Sequence, residues 1–105
     1  MGQSGDTTAL LLNERETDEG LLVSVCDADV LGENFENGEV SLTVDAAFYD
    51  GEAADKDAVV DSLARCSVAN IVGTRSVGLA VEHGFVEEEN VLDLGGTRHA
   101  QLLWL

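Results

Sequence analysis

The stretch KDAVVDSLARCSVANIVGTRSVGLAVEHG, residues 56–84, decides the fold because it is the only long segment with helical periodicity. One stripe of a helix, at spacings i, i+4, i+7 and i+11, collects Val59, Leu63, Cys66 and Asn70. After Ser67 the apolar positions leave this stripe, so either the helix end is buried all round or Ser67 begins a new turn as an N-cap. Gly73 then ends the segment, and Thr74 caps a further helix. We therefore predict two short helices joined by a tight corner at Gly73 and Thr74.

The second helix carries its own end signal. It ends at Gly84, because glycine readily adopts the left-handed conformation that closes many helices. The next residue, Phe85, is placed to fold back on the last turn in a Schellman-type contact.

The rest of the chain favours short strands, because apolar and β-branched runs alternate with turn residues. The predicted strands are Ala9–Arg15, Leu21–Cys26, Glu39–Val44, Val91–Leu94 and His99–Leu103. We predict an α+β fold: a small single domain with a mostly antiparallel sheet of four to five short strands, packed against two helices. Residues 1–8 are expected to form a flexible tail and residues 9–105 the domain.

The first two strands form an apolar hairpin with apolar residues of both parities. Either both faces of this hairpin are covered, or its apolar flank belongs to an interface. The lone tryptophan, Trp104, lies at the C-terminal end of the sequence and offers a second apolar contact.

The charge balance is extreme, with 21 acidic residues, 5 basic residues and a formal net charge of −16. Disorder is excluded because 45% of the residues are hydrophobic and they are patterned. An acidic partner for a basic protein, or a nucleic-acid mimic, is one interpretation. Adaptation to a cytoplasm near salt saturation is the favoured one, because the acid is spread along the whole chain and Lys56 is the only lysine. In such a cytoplasm, negative charge does not exclude binding to RNA.

Cys26 and Cys66 are forty positions apart and form no CxxC motif, so no zinc ribbon or thioredoxin-type site is expected. Both lie in apolar patterns, which favours buried free thiols in a reducing compartment. No apolar run approaches the length of a membrane span, and the N-terminal sequence lacks signal-peptide features. We therefore expect a cytoplasmic protein with no membrane partner and no cofactor.

The segment around Gly95 and Gly96 is the most suggestive candidate for binding. Two glycines admit close backbone approach, and Arg98 and His99 could contact an anion. Arg75 is a further candidate for this binding site. A cation in the first turn of a helix interacts unfavourably with the helix dipole, and an anionic partner would explain its presence there. The structural alternative is a glycine hairpin turn, with the arginines held in internal salt bridges.

Cys26, Asp27 and His99 form an alternative candidate, either a metal site or a nucleophile and its base. Nothing in their spacing requires them to meet. The structural alternative is a buried thiol beside an aspartate that caps a helix or forms a turn.

Four short motifs occur in a characteristic order: Cys26-Asp27…Leu31-Gly32, Phe48-Tyr49-Asp50-Gly51, Asn70-Ile71-Val72-Gly73 and Gly95-Gly96…His99-Ala100-Gln101. In this order and spacing the chain resembles the small archaeal family known as domain of unknown function 424, over about Leu10 to Leu103. The resemblance implies a small archaeal cytoplasmic α+β protein, and an extreme halophile as its source would explain the acidity. It implies no activity, cofactor or site.

Three function hypotheses follow. The first is a non-catalytic binding module that contacts RNA or a ribosome-associated protein, in keeping with a role around translation. The second is a structural subunit that packs through its apolar hairpin or its Trp104 tail on a partner or a copy of itself. The third is a small enzyme or metal protein that uses Cys26, Asp27 and His99.

Overall fold

The computed structural model describes residues 9–104. They form one six-stranded sheet, a separate two-stranded hairpin and three α-helices. The strands are β1 Leu10–Thr17, β2 Gly20–Asp27, β3 Asn34–Asn37, β4 Val40–Thr43, β5 Glu52–Ala54, β6 Val68–Val72, β7 Leu92–Asp93 and β8 Arg98–Leu103. The α-helices are α1 Ala46–Tyr49, α2 Lys56–Arg65 and α3 Thr74–Glu82, and 3-10 turns occupy Ala28–Val30 and Glu88–Asn90. The tail predicted for residues 1–8 lies outside the described residues.

The α+β class and the small single-domain size are confirmed, but the sheet is larger than predicted. Its strand order is β5-β1-β2-β6-β8-β7, and β2 and β6 run parallel while the other neighbours are antiparallel. The prediction missed β3, β5 and β6. The five strands that it did place agree with β1, β2, β4, β7 and β8 to within two residues at each end.

The corner predicted at Gly73 and Thr74 does not join two helices. The helix that begins at Lys56 ends at Arg65, and Val68–Val72 is a strand in the middle of the sheet. Strand β6 packs on both of its faces: Ala69 and Ile71 belong to one core cluster and Val72 to the other. A strand covered on both faces shows no alternation of polar and apolar residues, so its sequence resembles the end of a buried helix.

Each face of the sheet has its own core. Helices α2 and α3 cover one face, where Val23, Val25 and Ile71 of the sheet meet Leu63 and Val77 of the helices. Residues of the other parity lie on the opposite face, which α1 and the β3–β4 hairpin cover in part.

The core of this second face is built around four buried residues: Cys26, Val44, Tyr49 and Val72. Both parities of β1 and β2 are therefore used for packing. Of the two readings of the apolar hairpin, packing on both faces holds for the residues of the two core clusters, whereas Leu22 of β2 belongs to neither cluster.

The end of α3 matches its prediction. The Gly84 N–H donates to the Val81 carbonyl at 3.0 Å and the Phe85 N–H donates to the Ala80 carbonyl at 2.9 Å, which is the Schellman pattern. Gly84 has φ +77°, as this position requires. The closed helix end directs the chain back along the sheet towards β7.

Candidate binding surface

Cys26, Asp27 and His99 are not brought together. Cys26 lies opposite Val72 and Val72 lies opposite His99, so the thiol and the imidazole share a face of the sheet with one strand between them. Two strand spacings separate them by about 10 Å. Asp27, the residue after Cys26, points to the opposite face. No group of three or more His, Cys, Asp or Glu side chains within residues 9–104 could hold a metal ion.

The Cys26 thiol is poorly suited to act as a nucleophile. It is fully buried, and desolvation, followed by repulsion from Asp27, raises its pKa to about 11. Because the thiolate is the reactive form, a thiol in this state is inert near neutral pH.

Asp27 instead closes the start of α3. Its side chain accepts hydrogen bonds from the Arg75 N–H at 3.0 Å, the Ser76 N–H at 2.8 Å and the Ser76 hydroxyl at 2.7 Å. Gly73 makes the approach possible, since a Cβ atom at this position would lie 2.3 Å from the Asp27 carboxyl carbon. The structural alternative, an aspartate that caps a helix beside a buried thiol, therefore describes this pair.

The two glycines predicted to admit a ligand are covered by the protein itself. A Cβ atom at Gly95 would lie 3.0 Å from the Glu36 carbonyl, and one at Gly96 would lie 3.4 Å from the Phe35 ring. Asn37 adds a hydrogen bond of 2.8 Å from its side-chain amide to the Asp93 carbonyl. The β3–β4 hairpin therefore uses the close backbone approach that Gly95 and Gly96 allow.

Most of the basic side chains serve the fold. Arg98 pairs with Glu88 at 2.5 Å, and Arg65 pairs with Glu14 at 2.7 Å. Arg15 donates to the Ala47 carbonyl at 2.7 Å and lies over the Phe48 ring, which holds α1 on the sheet.

A depression of about 280 Å³ is lined by Lys56 and Arg75 together with Leu10 of β1. Arg98 and His99 are consecutive residues of β8 and point to opposite faces. The five predicted binding residues, Arg75, Gly95, Gly96, Arg98 and His99, do not share one surface.

A larger groove of about 670 Å³ runs between β1, β5 and α2. Three of its polar side chains bond to one another: buried Ser62 donates to the Glu14 carboxylate, and so does Arg65. The Ser62 hydrogen bond is the main cause that holds the pKa of Glu14 below its ordinary value. The hydrogen bonds in this groove therefore link α2 to β1 and serve the fold.

His99 gives a testable pH dependence. Its imidazole is half-buried, and desolvation lowers its pKa below the ordinary value of 6.5. Just below pH 6.5 the folded state therefore binds fewer protons than the unfolded state. The contribution of neutral His99 to the free energy of unfolding is present above this pH and is lost as the pH falls.

We expect the free energy of unfolding of the wild type to decrease between pH 7.5 and 5.5 by more than that of His99→Gln. Urea unfolding at several pH values measures the difference. His83→Gln, which removes the exposed second histidine, is the matched control and should follow the wild type. Identical profiles for the wild type and His99→Gln would show that His99 is not desolvated.

The outer edge of β8 is open. The Gly73 N–H donates to the Arg98 carbonyl and the Trp104 N–H donates to the Ser67 carbonyl, which fixes the alternation of the ladder between β6 and β8. In this alternation, Ala100 and Leu102 direct their backbone groups to β6, whereas Gln101 and Leu103 direct theirs outwards.

On the outer side, β7 pairs only with Arg98 and His99. No hydrogen bond within residues 9–104 uses the outward N–H and C=O groups of Gln101 and Leu103. Two donors and two acceptors are therefore available at this edge.

Apolar side chains surround this open edge. Of the four large hydrophobic side chains that are exposed within residues 9–104, three lie on β7 and at the end of β8: Leu92 at 42%, Leu103 at 61% and Trp104 at 48%. Trp104 is held in place, since its indole N–H donates to the Leu63 carbonyl at 3.0 Å and its ring packs edge-on against Phe85. We call the open backbone edge of Gln101 and Leu103, with Leu92 and Leu103 on one face of the sheet and Trp104 on the other, the β8 edge surface.

The β8 edge surface also lacks charge. In a chain with 21 acidic residues, the segment from Ala100 to Trp104 has none, and it has no lysine, arginine or proline. Natural proteins usually protect an exposed strand edge with such residues, because a free edge invites pairing with another chain. The sequence prediction found this strand and noted Trp104, but an open edge follows only from the strand order.

Fold and surface together define a small α+β domain with an open, uncharged strand edge and, among residues 9–104, no cluster of three or more potential metal ligands. The chain belongs to the family described as "Protein of unknown function (DUF424)", whose model matches residues 14–105.

A solved structure described as "Crystal structure of an uncharacterized conserved protein from Methanopyrus kandleri" is similar, with a TM-score of 0.73 and 24% sequence identity. The match covers 91% of this chain and 94% of that chain, and it supports the fold alone. No functionally curated protein matches the sequence. None of the helices within residues 9–104 is long and apolar enough to cross a membrane.

Proposed function

We propose that this chain is a non-catalytic binding module of the cytoplasm that recognises a protein partner through the β8 edge surface. The observation that carries the proposal is the pair of residues, Gln101 and Leu103, whose backbone groups face outwards with no hydrogen-bond partner among residues 9–104, beside exposed apolar side chains. Backbone hydrogen bonds at a sheet edge supply affinity in strand addition, and the neighbouring side chains supply specificity. The free state of both cysteines supports a reducing compartment.

A protein partner is favoured over RNA by the placement of the basic residues. Binding to RNA depends on cations arranged along the phosphate backbone. Here Arg65 and Arg98 are held by the protein's own carboxylates, and Arg15 is held by α1. The β8 edge surface itself carries no cation.

Comparative affinity capture tests the proposal. The wild type, Leu103→Asp and Ala53→Asp are used as bait in a lysate of the source organism, with and without ribonuclease. Ala53→Asp is the matched control, because it adds the same charge to an exposed residue on β5, at the other edge of the sheet. We expect the same proteins with the wild type and Ala53→Asp, their loss with Leu103→Asp, and no effect of ribonuclease.

Recovery of the same proteins by all three baits would show that the contact lies elsewhere. Recovery that depends wholly on intact RNA would replace the protein partner by RNA. Circular dichroism of each variant verifies that the fold is retained, which is expected because Leu103 and Ala53 are exposed.

A further inference from the structure

The outward groups of β8 are self-complementary. Each of Gln101 and Leu103 presents one N–H and one C=O outwards, separated by a single residue whose groups face β6. An antiparallel copy of the same segment offers the same spacing. With a two-fold axis at Leu102, Gln101 lies opposite the partner's Leu103, and all four outward groups of each copy are satisfied.

We propose that the partner at the β8 edge surface is a second copy of this chain, paired antiparallel through β8 so that the two six-stranded sheets become continuous. This inference rests on the proposed function and names its partner. Strand addition across a two-fold axis gives both copies the same contact, and it covers the exposed Leu103 side chains as well as the backbone edge.

The end of β8 is a place where self-pairing adds little to the charge repulsion between two copies. Two copies with a formal net charge of −16 each repel one another across most orientations. The segment from Gln101 to Trp104 brings no carboxylate of its own to the contact, because it carries no charged side chain.

The extent of pairing is limited by β7. Since β7 occupies the outer side of Arg98 and His99, only the end of β8 is available to a second copy. Small interfaces of this kind are typical of weak association. We therefore expect a monomer–dimer equilibrium that is visible at protein concentrations above about 10 µM.

Salt should strengthen this dimer. The Debye length falls from about 10 Å at 0.1 M salt to about 3 Å at 1 M, so the repulsion between the two acidic copies is progressively screened. An association based on ion pairs would instead weaken with salt.

Sedimentation equilibrium of the purified full chain over a concentration series, at several salt concentrations that leave the circular dichroism spectrum unchanged, tests the inference. We expect a doubling of mass with concentration and a tighter dimer at higher salt. Leu103→Asp should raise the dissociation constant by at least about tenfold, since it places two carboxylates at the shared interface.

Gln101→Pro probes the backbone without adding charge. It removes one outward N–H, which no hydrogen bond within the described chain uses, together with the exposed side-chain hydrogen bond from Gln101 to Asn70. Proline is tolerated at the edge of a sheet. We expect it to raise the dissociation constant by about tenfold as well, because each of the two copies in the symmetric dimer loses this donor. The control, Ala53→Asp, should match the wild type.

A protein that stays monomeric up to about 1 mM, or a dimer that Leu103→Asp and Gln101→Pro leave unchanged, would overturn the inference. If the chain is monomeric but the edge-dependent capture of another protein persists, self-pairing is wrong and the proposed function stands. If the chain is monomeric and capture does not depend on Leu103, both are wrong.

Discussion

Asp27→Ala is expected to destabilise the domain by about 3 kcal/mol, which is a large part of the stability of a small protein. The Asp27 side chain is 4% exposed and accepts three hydrogen bonds at the start of α3. Its removal leaves two backbone N–H groups and the Ser76 hydroxyl without an acceptor, and Ser76 is fully buried. Hydrogen bonds to a charged group contribute about 1.5–3 kcal/mol each, and the losses at one site are not additive.

Urea unfolding at constant salt measures this effect as a shift of the transition midpoint with an unchanged slope. Asp55→Ala is the matched control, because Asp55 is an exposed N-cap that accepts one backbone hydrogen bond from Ala58 at 2.9 Å. It should cost only about 1 kcal/mol. Equal losses for the two variants would mean that Asp27 acts as an ordinary surface cap.

Gly73→Ala is expected to cost at least about 3 kcal/mol, because two effects coincide at this residue. Its φ of +120° lies in a region that side-chain-bearing residues rarely adopt. In addition, the new Cβ atom would lie 2.3 Å from the carboxyl carbon of Asp27, which is itself fixed by α3. Either α3 or the end of β2 must move to make room.

Gly84→Ala separates the backbone effect from the collision. Gly84 also has a positive φ, +77°, but no heavy atom lies within 4 Å of a Cβ atom placed there. We expect a loss of about 1 kcal/mol for this control. The double variant Asp27→Ala with Gly73→Ala should be more stable than the sum of the single losses predicts, since the collision disappears with the carboxyl group. Strict additivity would contradict this account of the contact.

Local signals in the sequence were sufficient for the isolated elements. Val40, Leu42 and Thr43 lie in a strand whose alternation is visible, and Gly84 with Phe85 ends α3 as its residue types indicate. These features depend on neighbours within a few residues, so the pattern and the structure agree.

Strand β6 could not be separated from a helix by periodicity, because both of its faces are buried. Its β-branched residues Val68, Ile71 and Val72, and its boundary at Gly73, were the signals that favoured a strand over a continuing helix. With β6 assigned as a strand beside β2, residues 56–84 consist of helix α2, the central strand β6 and helix α3.

The candidate site depended on contacts that the sequence does not contain. The glycines at 95 and 96 were rightly associated with a close approach, but the approaching group is Phe35 and Glu36 of the protein's own hairpin. An internal salt bridge is the structural alternative for Arg98, and Glu88 provides that bridge. The open edge of β8 requires knowledge that β7 stops at His99, which only the strand order supplies.

Residue-resolved amide hydrogen exchange over a dilution series tests the central claim, that the outer edge of β8 is open and pairs with another chain. In a dilute sample, the N–H groups of Gln101 and Leu103 should exchange rapidly, while those of Ala100 and Leu102 are protected by β6. At high protein concentration, Gln101 and Leu103 should become protected and Ala100 should change little. If the N–H groups of Gln101 and Leu103 exchange at the same rate at every protein concentration, whether that rate is fast or slow, the result would contradict the account.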